Sequence, residues 1–218
     1  MKGSPSVAIV GAGGHAVSVT EAVTAMGYTI AYYVSEHAAS DAFLGRPVRH
    51  DVDSINIDPG FGLVLAIGEN SARSRVWQRL STTLPLATFP AIVHPSATVA
   101  QSVELGPASV VLQAAVIGAG SKVSAGCLVN TRASLDHEST LHPFASMAPG
   151  AVTGGRVEIG ARAALCIGAC VKHGVSIGED TVVGAASYVH KDLPPGVVAY
   201  GVPARVIRSR VSHDPYLA

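Results

Sequence analysis

Asp136, His137 and Glu138 stand in a row inside ASLDHEST (133–140), a stretch otherwise small, aliphatic and nearly uncharged. An imidazole titrates near neutrality, and a carboxylate on its other nitrogen would fix its tautomer and raise its basicity. Such a pair suits the removal of a proton from a reacting group. The competing explanation is an exposed polar corner with no chemistry. A second chemical feature is GAGGHA (11–16), which fits G-x-G-x-x-A between the apolar run VAIV (7–10) and a helical pattern. Here Gly11 makes the turn. Gly13 and Gly14 let a phosphate approach the backbone, where a helix N-terminus supplies N–H groups and positive dipole. Glu36, about twenty residues on, could bind a ribose hydroxyl. The alternative is a glycine turn used only for packing.

Two kinds of element must position these residues. VAIV, TIAYYVS (29–35) and FGLVLAIG (61–68) read as strands. Apolar spacing after the glycine loop reads as a helix ending at Gly27, and NSARSRVWQRLSTT (70–83) as a second helix. This alternation predicts a short Rossmann-like parallel sheet over residues 1–90. That is small for a full dinucleotide fold, so a mononucleotide carrying a sugar is favoured over NAD. From residue 91 to 218 the pattern changes. Every sixth residue from Val93 to Val189 is aliphatic or Met in sixteen of seventeen positions, and only Thr153 breaks the row. Four residues after each, small or short β-branched residues recur, until Leu193. A six-residue period held this long is a repeat architecture. It predicts a triangular prism of parallel strands, aliphatic residue inward and small residue at the corner. Residues eighteen apart then stack at about 4.8 Å, in five to six coils. A general right-handed β-solenoid is the runner-up, but such solenoids do not hold a strict six.

Composition narrows the function classes. Hydrophobic residues at 48% and charged residues at 14% exclude a disordered chain, and a net charge of zero offers no basic patch for nucleic acid. No run approaches a membrane span, and the opening residues show no leader, so a cytoplasmic protein is expected. Cys127, Cys166 and Cys170 lack metal-ligand spacing and are expected as packed small residues. No metal is expected.

Three stretches together carry a resemblance: VAIVGAGGHA at the start, NTRASLDHE (130–138) in the repeats, and VVGAASYVHKDLPPGVVAYGVPARVIR (182–208) at the end. The chain resembles the bacterial sugar acyltransferases that join a small nucleotide-binding domain to a left-handed parallel β-helix of hexapeptide repeats. That family includes bacillosamine-type UDP-amino-sugar N-acetyltransferases and sialic acid O-acetyltransferases. The resemblance implies His137 as general base, Glu138 as its partner and Asn130 near the substrate. It implies Gly155, eighteen residues after His137, as a backbone donor to the thioester oxygen. Stacking independently places Gly155 one coil above His137, where a donor would stabilise an oxyanion. The resemblance further implies acetyl-CoA as co-substrate, against Ile167 and Ala185 and with Lys172 and Arg205 towards its phosphates. It implies a homotrimer with CoA between subunits, and His15, Ile67 and Gly68 at the nucleotide sugar. Two departures leave the nucleotide open: Ala16 and Val17 stand where those enzymes usually carry a lysine after the loop histidine, and Ser35-Glu36-His37 replaces an acidic pair. The expected activity is N-acetylation of a nucleotide-linked amino sugar. O-acetylation of sialic acid or a similar sugar, and a non-catalytic β-helix binding protein, are the alternatives. His142 is a weaker second candidate for the base, and His94, His173 and His190 are expected as solvated corners.

Overall fold

The computed structural model describes residues 5–52, 55, 61–85 and 88–217. The first half runs β1 (Ser6–Val10), α1 (Gly14–Ala25), β2 (Thr29–Val34), β3 (Ala42–Phe43), β4 (Arg46–Arg49), β5 (Gly62–Leu65) and α2 (Asn70–Ser81). Its sheet has the order β3-β4-β2-β1-β5 and is parallel except for the β3–β4 pair. That hairpin goes beyond the alternation read from sequence. Its two-residue turn, Leu44-Gly45, has φ of 46° and 74°, the positive pair that matches hairpin twist. Gly27, just past α1, has φ of 81°, as a helix-ending glycine should.

From Ile92 the chain forms seventeen two-residue strands, β6 (Ile92–Val93) to β22 (Tyr188–Val189). Each strand from β6 to β19 pairs in parallel with the strand eighteen residues on, as in Leu128↔Ser146 and Lys122↔Thr140. The result is a left-handed parallel β-helix with three flat faces. β23 (Val197–Gly201) and β24 (Ala204–Ser209) then extend one face as a hairpin.

The cause of the period is visible in burial. The inward aliphatic row and the small-residue row together make one continuous core, from Val93 to Val189. Between them lies a third row that periodicity alone did not show. Every sixth residue from Ala108 to Ala186 has φ between 54° and 71°. Each corner from Ala108 to Ala186 therefore holds one left-handed residue, and the small residue that follows it turns inward. The small residue expected at the corner is this inward-turning one, and the left-handed position before it admits large and polar side chains. Arg132, Phe144, Arg156 and Arg162 hold the left-handed position as Glu138 does.

The three faces differ. The first, built on the Ile92–Val93 column, is covered: Ile92, Val110, Leu112 and Leu128 pack with α1 and β1 in one cluster. The second, built on the Thr98–Val99 column, exposes Val116, Val152 and Tyr188. The third carries Glu104, Lys122 and Glu158. A buried arginine fastens the halves. Arg73 of α2 is fully buried, and donates to the Gly126 and Phe144 carbonyls of the prism and to the Ile67 and Gly68 carbonyls after β5. Burial lowers its pKa to about 10.

Candidate active site

His137 stands on the corner between the second and third faces. Its Nδ1 lies 3.0 Å from Oε2 of Glu138, so Nε2 is left for a substrate proton. Asp136 does not touch the ring; its Oδ1 accepts the backbone N–H of His137 at 2.7 Å. The Glu138 oxygen also lies 3.7 Å from Arg156. One coil above, Gly155 lies directly against the imidazole, and a methyl group there would overlap ring atoms Cε1 and Nε2. The neighbouring residues are tied into the coils, Gly154 to Val171 and Arg156 to His137, whereas the Gly155 N–H bonds to no described residue. A base, its carboxylate and a free donor therefore meet at one point, which suits an oxyanion forming beside a proton transfer.

His142, the rival base, also has a carboxylate partner, Glu158 at 2.8 Å. But the residue one coil above it, Gly160, spends its N–H on Ile177. Among the described residues, no cluster of His, Cys, Asp or Glu is arranged to hold a metal.

Apart from Gly13 and Gly14, which line neither, the remaining site residues fall into two cavities on either side of the Ile67-Gly68 loop. The first, about 440 Å³, opens at the C-terminal ends of β1 and β2 and is lined by Gly11, Ser35, Glu36, His37, Ile67, Arg75 and Arg79, among others. Such a position is where parallel α/β sheets bind ligands. Gly11 has φ of 122°, and a side chain on it would come within 2.6 Å of the Ala66 carbonyl, so this glycine is demanded by packing as well as by the turn. Gly13 and Gly14 face open space at the start of α1. Glu36 is paired with Arg79 at 2.8 Å, so any ribose contact would share that carboxylate.

The second cavity, about 350 Å³, brings together His15, Gly68, Asn130, Ile167 and Ala185. Pro149, Ile167 and Ala185 line it at eighteen-residue steps. His15 is half-buried against Gly68, its buried Nε2 has no partner among the described residues, and desolvation, aided by Arg73, lowers its pKa to about 4. It is a neutral imidazole at physiological pH. Lys172 and Arg205 are exposed.

Four residues of this region escaped the sequence reading. Arg73 holds the loop between the cavities. Tyr216 and Leu217 of the C-terminal segment line the second cavity, with the Tyr216 hydroxyl 3.3 Å from that of Ser146. Arg210, buried in the same segment, donates to the Asp180 carbonyl. The cysteines need correcting too. Cys127 is buried, with its pKa pushed up to about 12, but Cys166 lines the second cavity and Cys170 is exposed. Cys170 precedes an inward valine, and that hexad position points outward.

Within one chain, the His137 corner and the two cavities do not meet: neither His137, Glu138 nor Gly155 lines either cavity. His137 and Glu138 are also about half exposed, at 48% and 60% of their side chains.

A Rossmann-like half set against a left-handed β-helix that carries a histidine–carboxylate pair defines the class, a β-helix acyltransferase. Comparison with known proteins narrows it. Residues 6–80 match the PglD N-terminal domain family. The acetyltransferase domain of PglB from Neisseria gonorrhoeae, solved with acetyl coenzyme A, is 31% identical, with a TM-score of 0.86 over 94% of this chain and 100% of that one. PerB from Caulobacter crescentus, solved with CoA and GDP-perosamine, is 36% identical, with a TM-score of 0.80 over 95% and 99%. Among curated proteins, galactoside O-acetyltransferase of Escherichia coli is 52% identical over 46 residues, 21% of this chain. The chain spans 23% of that protein's length, and 32% of the E. coli protein described as "Putative colanic acid biosynthesis acetyltransferase WcaF". The chain belongs to the hexapeptide-repeat sugar acetyltransferase family that PglB and PerB represent.

Proposed function

We propose that the protein transfers an acetyl group from acetyl-CoA to the amine of a nucleotide-linked amino sugar, with His137 as general base. The observation that carries this is the His137–Glu138 pair seated against Gly155, whose N–H is free. The neutral amine attacks the thioester carbonyl, and Nε2 of His137 takes the proton that the amine sheds. The Gly155 N–H receives the developing oxyanion, and the CoA thiolate leaves and is protonated. Glu138 holds the ring in the productive tautomer. The nucleotide lies in the first cavity, in the 1–90 half, and the sugar passes the Ile67-Gly68 loop into the second. There His15 and Asn130 meet the sugar, and CoA runs along Ile167 and Ala185 of the 91–218 half. The PerB complex with CoA and GDP-perosamine supports this pair of co-substrate classes.

The working unit is a homotrimer. The base and the cavities occupy different corners, and the apolar second face lies between those corners. A neighbour packed on that face would bring its His137 to this chain's second cavity and exclude water from it. The protein acts in the cytoplasm, where both co-substrates are made.

O-acetylation needs the same base, and the match to galactoside O-acetyltransferase keeps it as the second reading. Thiol release from acetyl-CoA with UDP-, dTDP- and GDP-linked amino sugars and with sialic acid separates the two. Turnover with sialic acid and with no amine would overturn the first. A His137→Ala protein with full activity would remove the assigned base.

A further inference from the structure

Thr153 is the one member of the inward row that is neither aliphatic nor Met. Its surroundings break the bonding pattern that the coils on either side keep. After each inward residue the chain donates an N–H to the inward residue one coil above: Gly118 to Leu135, Gly154 to Val171, Lys172 to Val189. Asp136 departs from this rule. Its N–H goes to the side-chain hydroxyl of Thr153, at 3.1 Å. The strand ladder opens at the same place. Below, Val116↔Ser134 and Ile117↔Leu135 both pair, and above, Val152↔Cys170 and Thr153↔Val171 both pair. Between them only Ser134↔Val152 is kept. The opened rung leads into the corner that carries Asp136, His137 and Glu138 on one coil and Gly154 and Gly155 on the next.

We propose that Thr153 is a positioning residue for the acyl-transfer site. A buried hydroxyl in an aliphatic row costs stability unless it is hydrogen-bonded, and an inward Val would fill the same volume without one. Here the hydroxyl replaces a backbone carbonyl as acceptor. The two coils are thereby released from the standard spacing, which sets the height of the His137 ring against the Gly155 N–H. Other side chains complete the hold: Ser121 donates to the Asp136 carbonyl at 2.9 Å, and the Asp136 carboxylate accepts the His137 N–H. The inference rests on the acetyltransferase reading, and its test separates the two.

Thr153→Val removes the acceptor and lets the missing rung close on the backbone carbonyl; Thr153→Ser keeps the acceptor. In the valine variant the expected result is a Tm equal to or above wild type and a kcat lowered at least ~10-fold, with KM for acetyl-CoA little changed. The serine variant should retain most of kcat. A purely structural hydroxyl would instead lower Tm and spare kcat at permissive temperature. A second readout does not need turnover: the ¹⁵N signals of the His137 ring, assigned with His137→Asn, should shift in Thr153→Val and not in Thr153→Ser. Wild-type kcat in the valine variant, or an unmoved His137 signal in it, overturns the inference. Failure of wild type to acetylate any sugar would overturn the activity assigned above, while the ring signals still decide the role of Thr153.

Discussion

Glu138 stands in a left-handed backbone conformation, φ 55°, at a corner position that glycine fills elsewhere, as at Gly120 and Gly150. A side chain there costs about 1 kcal/mol, and the carboxylate on His137 is what that strain maintains. Glu138→Gly should therefore raise unfolding stability by roughly 1 kcal/mol while lowering kcat by ~10-fold or more; Glu138→Gln should lose activity without the stability gain. Denaturant melts and initial rates on the same preparations check this. His15 gives a second residue-scale expectation, about pH. Unfolded, its imidazole takes a proton near pH 6.5; folded, it stays neutral until about pH 4. Its native environment is thus fully compatible with folding above about pH 6.5. As pH falls from there to 4 the unfolded chain binds the extra proton, and stability drops by up to ~3 kcal/mol. His15→Gln should flatten stability across that window, read by melts at pH 7 and pH 4.5.

Between elements, the decisive contact is the Arg73 guanidinium, which bonds four carbonyls drawn from both halves. Arg73→Met keeps the volume but strands those carbonyls, and should cost about 3–5 kcal/mol. Because the same carbonyls belong to Gly126, Phe144, Ile67 and Gly68, the loop between the cavities should loosen as well. KM for the nucleotide sugar should then rise more than KM for acetyl-CoA. None of this was legible in NSARSRVWQRLS, which announces only a helix, since a buried cation that serves carbonyls leaves no periodic trace. The prism was legible because its inward row repeats without a slip for about a hundred residues, long enough to exclude chance. The His137 cluster stood out against that regular background. The β3–β4 hairpin did not, since strands of two and four residues around Leu44-Gly45 are too short to show alternation. Tyr216 and Leu217 reach the cavity only through a fold that brings the end of the chain back across the first face.

For the whole molecule, the separation of His137 from the cavity holding Asn130 predicts complementation. His137→Ala and Asn130→Ala proteins should each be inactive alone. Unfolded together, refolded and mixed one to one, they should recover up to about a quarter of wild-type activity, since only interfaces with the right order of neighbours combine an intact base and an intact cavity. Activity that never returns, from variants that each assemble normally, would place base and cavity in one chain's own site. The cavity also contains a thiol. Cys166 lies beside Ile167 and Asn130, and burial holds its pKa above the usual thiol range. Free electrophiles in solution should find it sluggish, because little thiolate is present. A weak electrophile built onto a pantetheine or sugar fragment would be held beside it long enough to react. Cys166 is thus a covalent handle, open to affinity labels that are recognised first and bonded second.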